Sequence, residues 1–147
     1  MTAAHERIVL TYGTFDLFHP GHVQLLKRAR ELGSRLIVGL STDEFNALKG
    51  KRSVMSYEDR KTVLESCRYV DEVFAEDDWS QKLGDARRMG ADVFVMGDDW
   101  AGQFDFMQEV CKVVYLARTE GVSTTGIKAS MQGLPSHPIV QPAIQLS

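Results

Sequence analysis

Apolar residues along the chain collect in five short runs that are rich in Val, Ile, Leu, Phe and Tyr. Runs of this length and composition, bounded by Gly, Asp or Ser, are typical of buried β-strands. The segments between the runs carry helical periodicity, so strands and helices alternate along the chain. The predicted strands cover residues 7–13, 35–41, 72–75, 92–97 and 112–116.

The first helix is predicted over residues 20–32, where apolar residues recur at helical spacing. Pro20 suits the first helical position, and Gly33 follows as a C′ residue would. A second helix is predicted over residues 42–48 with Ser41 or Thr42 as N-cap, and a third over 56–70 with Ser56 as N-cap. Residues 79–89 form the next predicted helix, which Gly90 closes. A weakly helical stretch follows at 104–110, and Ser123 or Thr124 could cap a last helix.

This alternation predicts an α/β fold, in which a Rossmann-like, doubly wound parallel sheet has helices on both faces. The length of 147 residues favours a single domain. We assign residues 1–132 to that domain. Residues 133–147 contain three of the four prolines and no charged residue, so we expect a disordered or loosely docked tail.

The composition, 44% apolar and 25% charged residues, is that of a soluble globular protein. A net charge of −3 argues against a general nucleic-acid binder but permits a small phosphate ligand. The opening residues lack the pattern of a signal peptide, and no apolar run could span a membrane, which predicts a cytoplasmic location. Cys67 and Cys111 lie in apolar surroundings and are predicted to be reduced, buried and structural.

Unusual polar and glycine-containing segments follow four of the predicted strands. They read "GTFDLFHPGH", "STDEF", "MGDDW" and "RTEGVSTT" in chain order. Open parallel sheets bind ligands beyond the carboxyl ends of their strands. The four segments therefore predict one active or binding site at that edge of the sheet.

His19 and His22 are three residues apart where the first helix begins, so both rings can face one point. Unpaired N–H groups and the helix dipole make such a point an anion site, and Gly13 and Gly21 permit close approach. Two alternatives stay open. One is a metal site with Asp16 as a further ligand, against which the dipole argues; the other is a capping histidine beside a surface histidine.

A family resemblance rests on these motifs. "GTFDLFHPGH" resembles the H-x-G-H signature of the nucleotidylyltransferase superfamily, and "RTEGVSTT" resembles the second signature of its cytidylyltransferase branch. H-x-G-H alone is shared with adenylyltransferases and class I tRNA synthetases. With "STDEFNALKGK", "SYEDRK", "RYVDEV" and "DVFVMGDDW" in the same order, the chain most resembles the glycerol-3-phosphate cytidylyltransferase family, roughly over residues 7–131.

The resemblance implies an enzyme that joins CTP to sn-glycerol 3-phosphate, giving CDP-glycerol and pyrophosphate. CDP-glycerol is a precursor for polymers of the teichoic-acid type. The resemblance also implies Mg²⁺ or a similar divalent cation bound with CTP rather than by a protein-only metal site. A homodimer is expected, and neither nucleic acid nor membrane is an expected partner.

Individual residues take their roles from the same resemblance. The implied catalytic residues are His19, His22, Lys49 and Arg118, and the implied phospho-alcohol ligands are Lys49 and Lys82. The implied nucleotide site comprises Thr14, Phe15, His19, Pro20, Gly21, His22, Lys51, Arg118, Thr119, Glu120, Gly121, Val122, Ser123, Thr124 and Thr125. Possible supporting residues are Asp16, Asp43, Arg60, Arg68, Asp71 and Asp99.

Elementary physics is consistent with these roles, because attack of one phosphate on another brings two anions together. Lys49, Lys51 and Arg52 supply positive charge on a loop that could close over substrates, although such a run is often a plain solvated surface. Trp79 and Trp100 are predicted to pack rather than to stack on a base. Alternative functions are transfer to another phospho-alcohol or sugar phosphate, including ribitol phosphate or phosphocholine, and a non-catalytic nucleotide-binding module.

Overall fold

A five-stranded parallel sheet forms the centre of the protein, as seen in a computed structural model that describes residues 6–118 and 124–132. All four neighbouring pairs are parallel, and the strand order is β3-β2-β1-β4-β5. This order confirms the doubly wound α/β prediction. The strands are β1 (Ile8–Gly13), β2 (Arg35–Ser41), β3 (Glu72–Glu76), β4 (Val93–Gly97) and β5 (Lys112–Leu116).

Helices connect the strands and cover both faces of the sheet. They are α1 (Pro20–Arg30), α2 (Asp43–Leu48), α3 (Tyr57–Glu65), α4 (Lys82–Met89) and α5 (Thr124–Gln132). Short 3-10 helices lie at Trp79–Gln81, Asp98–Trp100 and Asp105–Glu109. Within the described residues, no helix is both long enough and apolar enough to cross a membrane.

Each face of the sheet has its own hydrophobic core, because successive side chains of a strand point to opposite faces. On one face, Val9 of β1 packs with Leu26 of α1 and Leu64 of α3. On the other face, Leu10 packs with Ala86 of α4. Apolar runs that are buried on both faces explain why the strands lack an alternating polar pattern.

Several predicted helix ends are confirmed. The hydroxyl of Thr42 accepts the N–H of Phe45, and the hydroxyl of Ser56 accepts the N–H of Asp59, so both residues are N-caps. Gly90 ends α4 with a φ of 68°, a left-handed conformation that favours glycine. Local capping chemistry was therefore readable from the sequence at three positions.

Other boundaries differ from the prediction. Helix α1 ends at Arg30, and Gly33 is required for a different reason: a Cβ there would lie 2.4 Å from the carbonyl oxygen of Arg7. Helix α3 ends at Glu65, five residues before the predicted end. Segment 79–89 starts as a 3-10 turn, because the side chain of Asp78 accepts the N–H of Ser80 and closes a tighter turn.

Two further expectations are resolved only in part. Cys67 and Cys111 are free thiols, and both are half-buried rather than fully buried. The predicted tail at residues 133–147 and the candidate N-cap Ser123 lie outside the described residues.

Candidate active site

A cleft of about 550 Å³ opens beyond the carboxyl ends of the strands. Strands β1 and β4 are neighbours in the sheet, and the chain proceeds from them towards opposite edges. Such a switch point is where open α/β sheets bind ligands. Residues from three of the four unusual segments line the cleft, and Ser41 of the remaining one hydrogen-bonds Lys49 in its wall.

The turn after β1 has a strained backbone. Phe15 and Leu17 have φ values of 48° and 53°, which lie in the left-handed region that residues other than glycine rarely adopt. Such a conformation costs about 1–3 kcal/mol per residue and persists where the surroundings enforce it. The ring of Phe15 folds back over Gly13, where a Cβ would come within 2.8 Å of it. The turn thereby delivers the next residues, His19 and His22, to the cleft.

The two histidines cap the start of α1 reciprocally. Nδ1 of His19 accepts the N–H of Gly21 at 3.1 Å, and Nδ1 of His22 accepts the N–H of His19 at 3.3 Å. Their rings stack at 3.8 Å between centroids. Because each Nδ1 accepts a hydrogen bond, each neutral ring carries its proton on Nε2.

Helix α5 is joined to this pair through Thr124. The Thr124 hydroxyl donates to the carbonyl of Asp16 at 2.8 Å, so its oxygen accepts from Nε2 of His19 at 3.2 Å. His22 has no such second partner among the described residues. Within that part of the chain, its Nε2–H therefore remains available to a ligand in the cleft.

Both imidazoles are neutral at pH 7. Burial lowers the pKa of His19, and burial together with the nearby His19 ring lowers the pKa of His22 to about 4, against a smaller opposing effect of Asp16.

The alternative of a capping histidine beside a surface histidine is correct in that His19 is the N-cap of α1. Both rings nevertheless line the cleft. No group of three or more His, Cys, Asp or Glu suited to a metal ion occurs within residues 6–118 and 124–132.

Asp16 fastens the basic loop after α2. Its carboxylate accepts the N–H of Val54 at 2.6 Å and that of Met55 at 2.9 Å, and Lys128 of α5 lies 3.3 Å away. Burial would raise the pKa of Asp16, but these hydrogen bonds and the Lys128 charge lower it overall. The carboxylate therefore joins the turn after β1 to the basic loop and to α5.

Arg60 connects the ends of β1 and β2. Its buried guanidinium donates to the carbonyls of Thr14 at 3.0 Å, Ser41 at 2.8 Å and Met55 at 3.0 Å. It also pairs with Asp43 at 2.7 Å. A hydrogen bond from the backbone of Tyr57 and the Arg60 guanidinium lower the pKa of Asp43, although burial opposes them.

Two lysines from different elements meet at the opposite end of the cleft. Nζ of Lys49 donates to the hydroxyl of Ser41 at 3.1 Å and lies 4.5 Å from the ring centre of Phe45. Lys82 is buried, and its Nζ pairs with Glu76 at 2.5 Å. Lys51 lines the same cleft. The arrangement brings the predicted lysines to one site, although they lie far apart in sequence.

Lys49 holds its proton less firmly than an exposed lysine does. Burial lowers its pKa to about 8, and the positive charges of Lys51, Lys82 and Arg60 act in the same direction. Glu76 opposes this effect. The fraction of Lys49 in the ammonium form therefore depends on its electrostatic surroundings.

Residues 10–130 match the family model described as "Cytidylyltransferase-like". The chain belongs to this family. It is 59% identical over 126 residues to the glycerol-3-phosphate cytidylyltransferase of Bacillus subtilis (strain 168), covering 86% of this chain and 98% of that protein. The enzyme of the same description from Staphylococcus aureus (strain NCTC 8325 / PS 47) is 58% identical over 125 residues, covering 85% of this chain and 95% of that protein.

The fold itself extends to more distant relatives. The lipopolysaccharide core biosynthesis protein from Thermoplasma volcanium GSS1 superposes with a TM-score of 0.71 at 20% sequence identity. The match covers 79% of this chain and 100% of that chain. At this identity the likeness shows a common fold alone.

The cleft contains most of the residues that the cytidylyltransferase resemblance implies. The implied residues that line it are Thr14, Phe15, Asp16, His19, Gly21, His22, Lys49, Lys51, Lys82, Asp99, Arg118 and Thr124. Pro20 is exposed at the start of α1, outside this lining. Residues 119–123 and the side chain of Thr125 lie outside the described part of the chain.

Two of the possible supporting residues lie elsewhere. Asp71 accepts the N–H of Leu36 at 2.8 Å and pairs with Arg30 at 3.2 Å, near the amino end of β2. Arg68 is exposed and is not part of the cleft lining. Asp71 and Arg68, which the resemblance implies as possible supporting residues, therefore lie outside the cleft lining, because both precede β3 and parallel strands carry the cleft at their other ends.

The tryptophans pack against other rings, as predicted. Trp79 contacts Phe45 edge-on at 5.2 Å between ring centres but stays 52% exposed at the rim of the cleft. Trp100 packs on Phe104 at 5.4 Å. Trp79 also lies 5.6 Å from Nζ of Lys49, so it contributes to the lysine end of the cleft.

Sequence reasoning missed three buried polar residues beneath the cleft. They are Tyr12, Ser41 and Glu76. The hydroxyl of Tyr12 donates to Asp85 at 2.7 Å, and burial and that hydrogen bond raise the pKa of Tyr12. A signal existed for Glu76, because a charged residue directly after a run of apolar strand residues marks the carboxyl end of that strand.

Proposed function

We propose that this chain transfers the cytidylyl group of CTP to sn-glycerol 3-phosphate, giving CDP-glycerol and pyrophosphate. The observation that carries the proposal is the identity of 58–59% over nearly the whole length of two proteins described as glycerol-3-phosphate cytidylyltransferases. In this reaction a phosphate oxygen of the glycerol phosphate bonds to the α-phosphorus of CTP. The bond from that phosphorus to the bridging oxygen breaks, and pyrophosphate departs with the electron pair.

The α1 end of the cleft suits the triphosphate. The start of the helix supplies the positive end of the dipole, and Nε2–H of His22 adds a neutral donor. Such donors stabilise charge that moves to the leaving pyrophosphate, because they are held in place before the reaction begins. Arg118 and Lys51 line the same cleft and add full positive charge.

The lysine end suits the phosphate of the alcohol. Lys49 and Lys82 line the same cleft and would neutralise the incoming phosphate, which lowers its repulsion from the triphosphate. The phosphate would also keep Lys49 protonated, because a nearby anion raises the pKa of an ammonium group. No enzyme nucleophile is needed for this direct displacement.

Magnesium is proposed to accompany CTP, and one carboxylate of the cleft fits such an ion. Asp99 lines the cleft, and one of its oxygens covers Gly97 at the end of β4, 2.9 Å from where a Cβ would stand. Magnesium in nucleotide sites is held mainly by phosphate oxygens with one or two carboxylates. When bound, the ion offsets the charge of the triphosphate. Calorimetric titration of CTP with and without Mg²⁺, in the wild type and in Asp99→Asn, tests this assignment.

Assembly, location and use of the product are proposed on the resemblance alone. We expect a homodimer, which light scattering coupled to gel filtration would detect as twice the chain mass. We expect a cytoplasmic enzyme whose CDP-glycerol feeds polymers of the teichoic-acid type. Cell fractionation and analysis of wall polymers after gene deletion test these two points.

Substrate choice is tested by measuring kcat/KM with CTP for glycerol 3-phosphate, ribitol 5-phosphate and phosphocholine. Glycerol 3-phosphate is expected to be preferred. A preference of more than about 10-fold for either rival, about 1.4 kcal/mol of transition-state binding, would overturn the assignment. Pyrophosphate release with ATP, GTP and UTP tests the nucleotide. A protein that binds CTP but releases no pyrophosphate with any of these alcohols would be a binding module instead.

A further inference from the structure

One carboxylate lies beneath both lysines of the cleft. Glu76, the last residue of β3, is 3% exposed. One of its oxygens pairs with Nζ of Lys82, and the other accepts the Ser41 hydroxyl at 3.0 Å. Ser41 in turn accepts from Nζ of Lys49 at 3.1 Å. A single side chain therefore reaches both ammonium groups, one directly and one through a hydroxyl.

Chemistry determines the direction of each hydrogen bond in the series Lys82–Glu76–Ser41–Lys49. An ammonium group can only donate and a carboxylate can only accept, so the Ser41 hydroxyl must donate to Glu76 and accept from Lys49. All members come from different elements: the end of β2, the residue after α2, the end of β3 and the start of α4. Each ammonium group has three N–H donors and uses only one of them in this series of hydrogen bonds.

Burial makes each charge in this arrangement costly unless an opposite charge lies beside it. Two lysines at one partly desolvated place repel each other, and a buried carboxylate is costly unless it is paired. Glu76 offsets the charge of both lysines and is itself stabilised by them. Aromatic rings complete the enclosure, with Nζ of Lys82 lying 4.8 Å from the ring centre of Tyr12 and 5.2 Å from that of Phe104.

We propose that Glu76 is a positioning residue for phospho-alcohol binding, which holds Lys82 directly and Lys49 through Ser41 so that both face the incoming phosphate. The proposal rests on the proposed function for the identity of that phosphate. Glu76 touches no substrate in this role. It acts through the two lysines by setting their direction and their charge.

The charge of Lys49 supplies a readout specific to this role. The charged groups that face Lys49 are Glu76, Lys51, Lys82 and Arg60, and only Glu76 favours its protonated form. Removing the negative charge should therefore lower the pKa of Lys49 below its present value of about 8. The high-pH limb of kcat/KM for the phospho-alcohol should move to lower pH.

The test is Glu76→Gln, which keeps the size and the hydrogen-bonding oxygen but removes the charge. We expect the KM for glycerol 3-phosphate to rise about 10-fold or more and the KM for CTP to change by less than about 3-fold. We also expect the high-pH limb to shift downward by at least about half a pH unit. Equal changes in both KM values, or an unmoved limb, would overturn the proposal.

Asp85→Asn is the matched control, because Asp85 has the same exposure of 3% and is also a hydrogen-bonded carboxylate. It should lower the melting temperature without moving the high-pH limb, since Asp85 is not among the charges that act on Lys49. Ser41→Ala is the second variant and needs no buried charge removed. It removes the hydrogen bonds of Ser41 to Lys49 and to Glu76 but leaves the pair of Glu76 and Lys82 in place. A smaller rise in the KM for glycerol 3-phosphate, about 3-fold, is therefore expected, and an equal rise in the KM for CTP would contradict the proposal.

A measurement without substrate separates this proposal from the proposed function. The Nζ resonance of Lys49 in ¹⁵N-lysine-labelled, ligand-free protein reports its pKa directly, assigned with Lys49→Arg. The pKa should fall in Glu76→Gln and stay unchanged in Asp85→Asn. Wild-type protein that does not turn over glycerol 3-phosphate would refute the substrate, whereas an unchanged Lys49 pKa in Glu76→Gln would refute the role of Glu76.

Discussion

The two ends of the cleft, to which we assign phosphate binding, hold their hydrogen-bond donors by different physical means. At the α1 end, His19 and His22 are neutral and are held by backbone N–H groups of the same helix. At the other end, Lys49 and Lys82 share one buried carboxylate. Neutral donors need no counter-charge and can be organised within a few residues of sequence. Charged donors need a buried partner, which here comes from a distant strand.

This difference predicts opposite sensitivities to pH. The histidine end loses its arrangement at low pH, because a protonated Nδ1 can no longer accept the N–H that holds the ring. The lysine end loses its charge at high pH, since burial lowers the pKa of Lys49 to about 8. The following variants test the comparison, from the largest expected effect to the smallest.

Arg60 is the link between the two ends, so its replacement should affect both. Arg60→Lys keeps the charge but cannot reproduce the fork that holds Thr14 and Ser41. We expect a loss of about 3–5 kcal/mol in the free energy of unfolding, because buried carbonyls and Asp43 lose their partners. Urea denaturation measures it, with the exposed Arg87→Lys as control. A loss below about 1 kcal/mol would contradict this role.

The histidine end should control turnover. His19→Ala and His22→Ala are each expected to lower kcat by about 10²-fold or more, equivalent to about 2.7 kcal/mol of transition-state stabilisation. Steady-state kinetics at saturating substrates measures this, with the exposed Gln24→Ala of the same helix as control. Near-normal kcat in both variants would refute the assignment. Tight zinc in the wild type that both variants lose would favour a metal site instead.

Acid should destabilise the protein through His22. Its pKa of about 4 in the folded protein is below the value of 6.5 for an unfolded histidine. The unfolded state therefore binds the proton first, and stability falls as the pH decreases from 6.5 towards 4. About 2 kcal/mol should be lost between pH 7 and pH 5 on this account. His22→Asn keeps an acceptor for the His19 N–H, and its free energy of unfolding should fall less between the two pH values. Denaturation curves at pH 7 and pH 5 measure this. An equal fall in the wild type and the variant would refute the role of His22.

The lysine end should divide between the two substrates. Lys49→Ala should raise the KM for glycerol 3-phosphate by about 10-fold, about 1.4 kcal/mol, and Lys51→Ala should do the same for CTP. Each variant serves as the control for the other, since both remove one positive charge from the same loop. If initial-rate kinetics shows both variants acting on the same substrate alone, the division of roles is wrong.

Local signals account for the predictions that are confirmed. Thr42, Ser56 and Gly90 act at helix ends through contacts with residues only a few positions away, so their roles follow from short sequence patterns. Segment 13–22 likewise contributes one whole end of the cleft, because the turn, the helix start and both histidines are contiguous. The role of Gly33 could not be predicted, since Arg7, whose carbonyl it accommodates, lies just before β1 and far from Gly33 in the sequence.

The sequence by itself determined the alternation of strands and helices, the edge of the sheet that carries the site, and the histidine pair at a helix start. These depend on periodicity and on interactions between near neighbours. Only the tertiary structure decided that Glu76 faces inward beneath Lys49 and Lys82, and that Asp71 holds the far end of β2. The physical reason is that a buried charge is stable only beside its partners, and the packing of the sheet decides which distant residues those partners are.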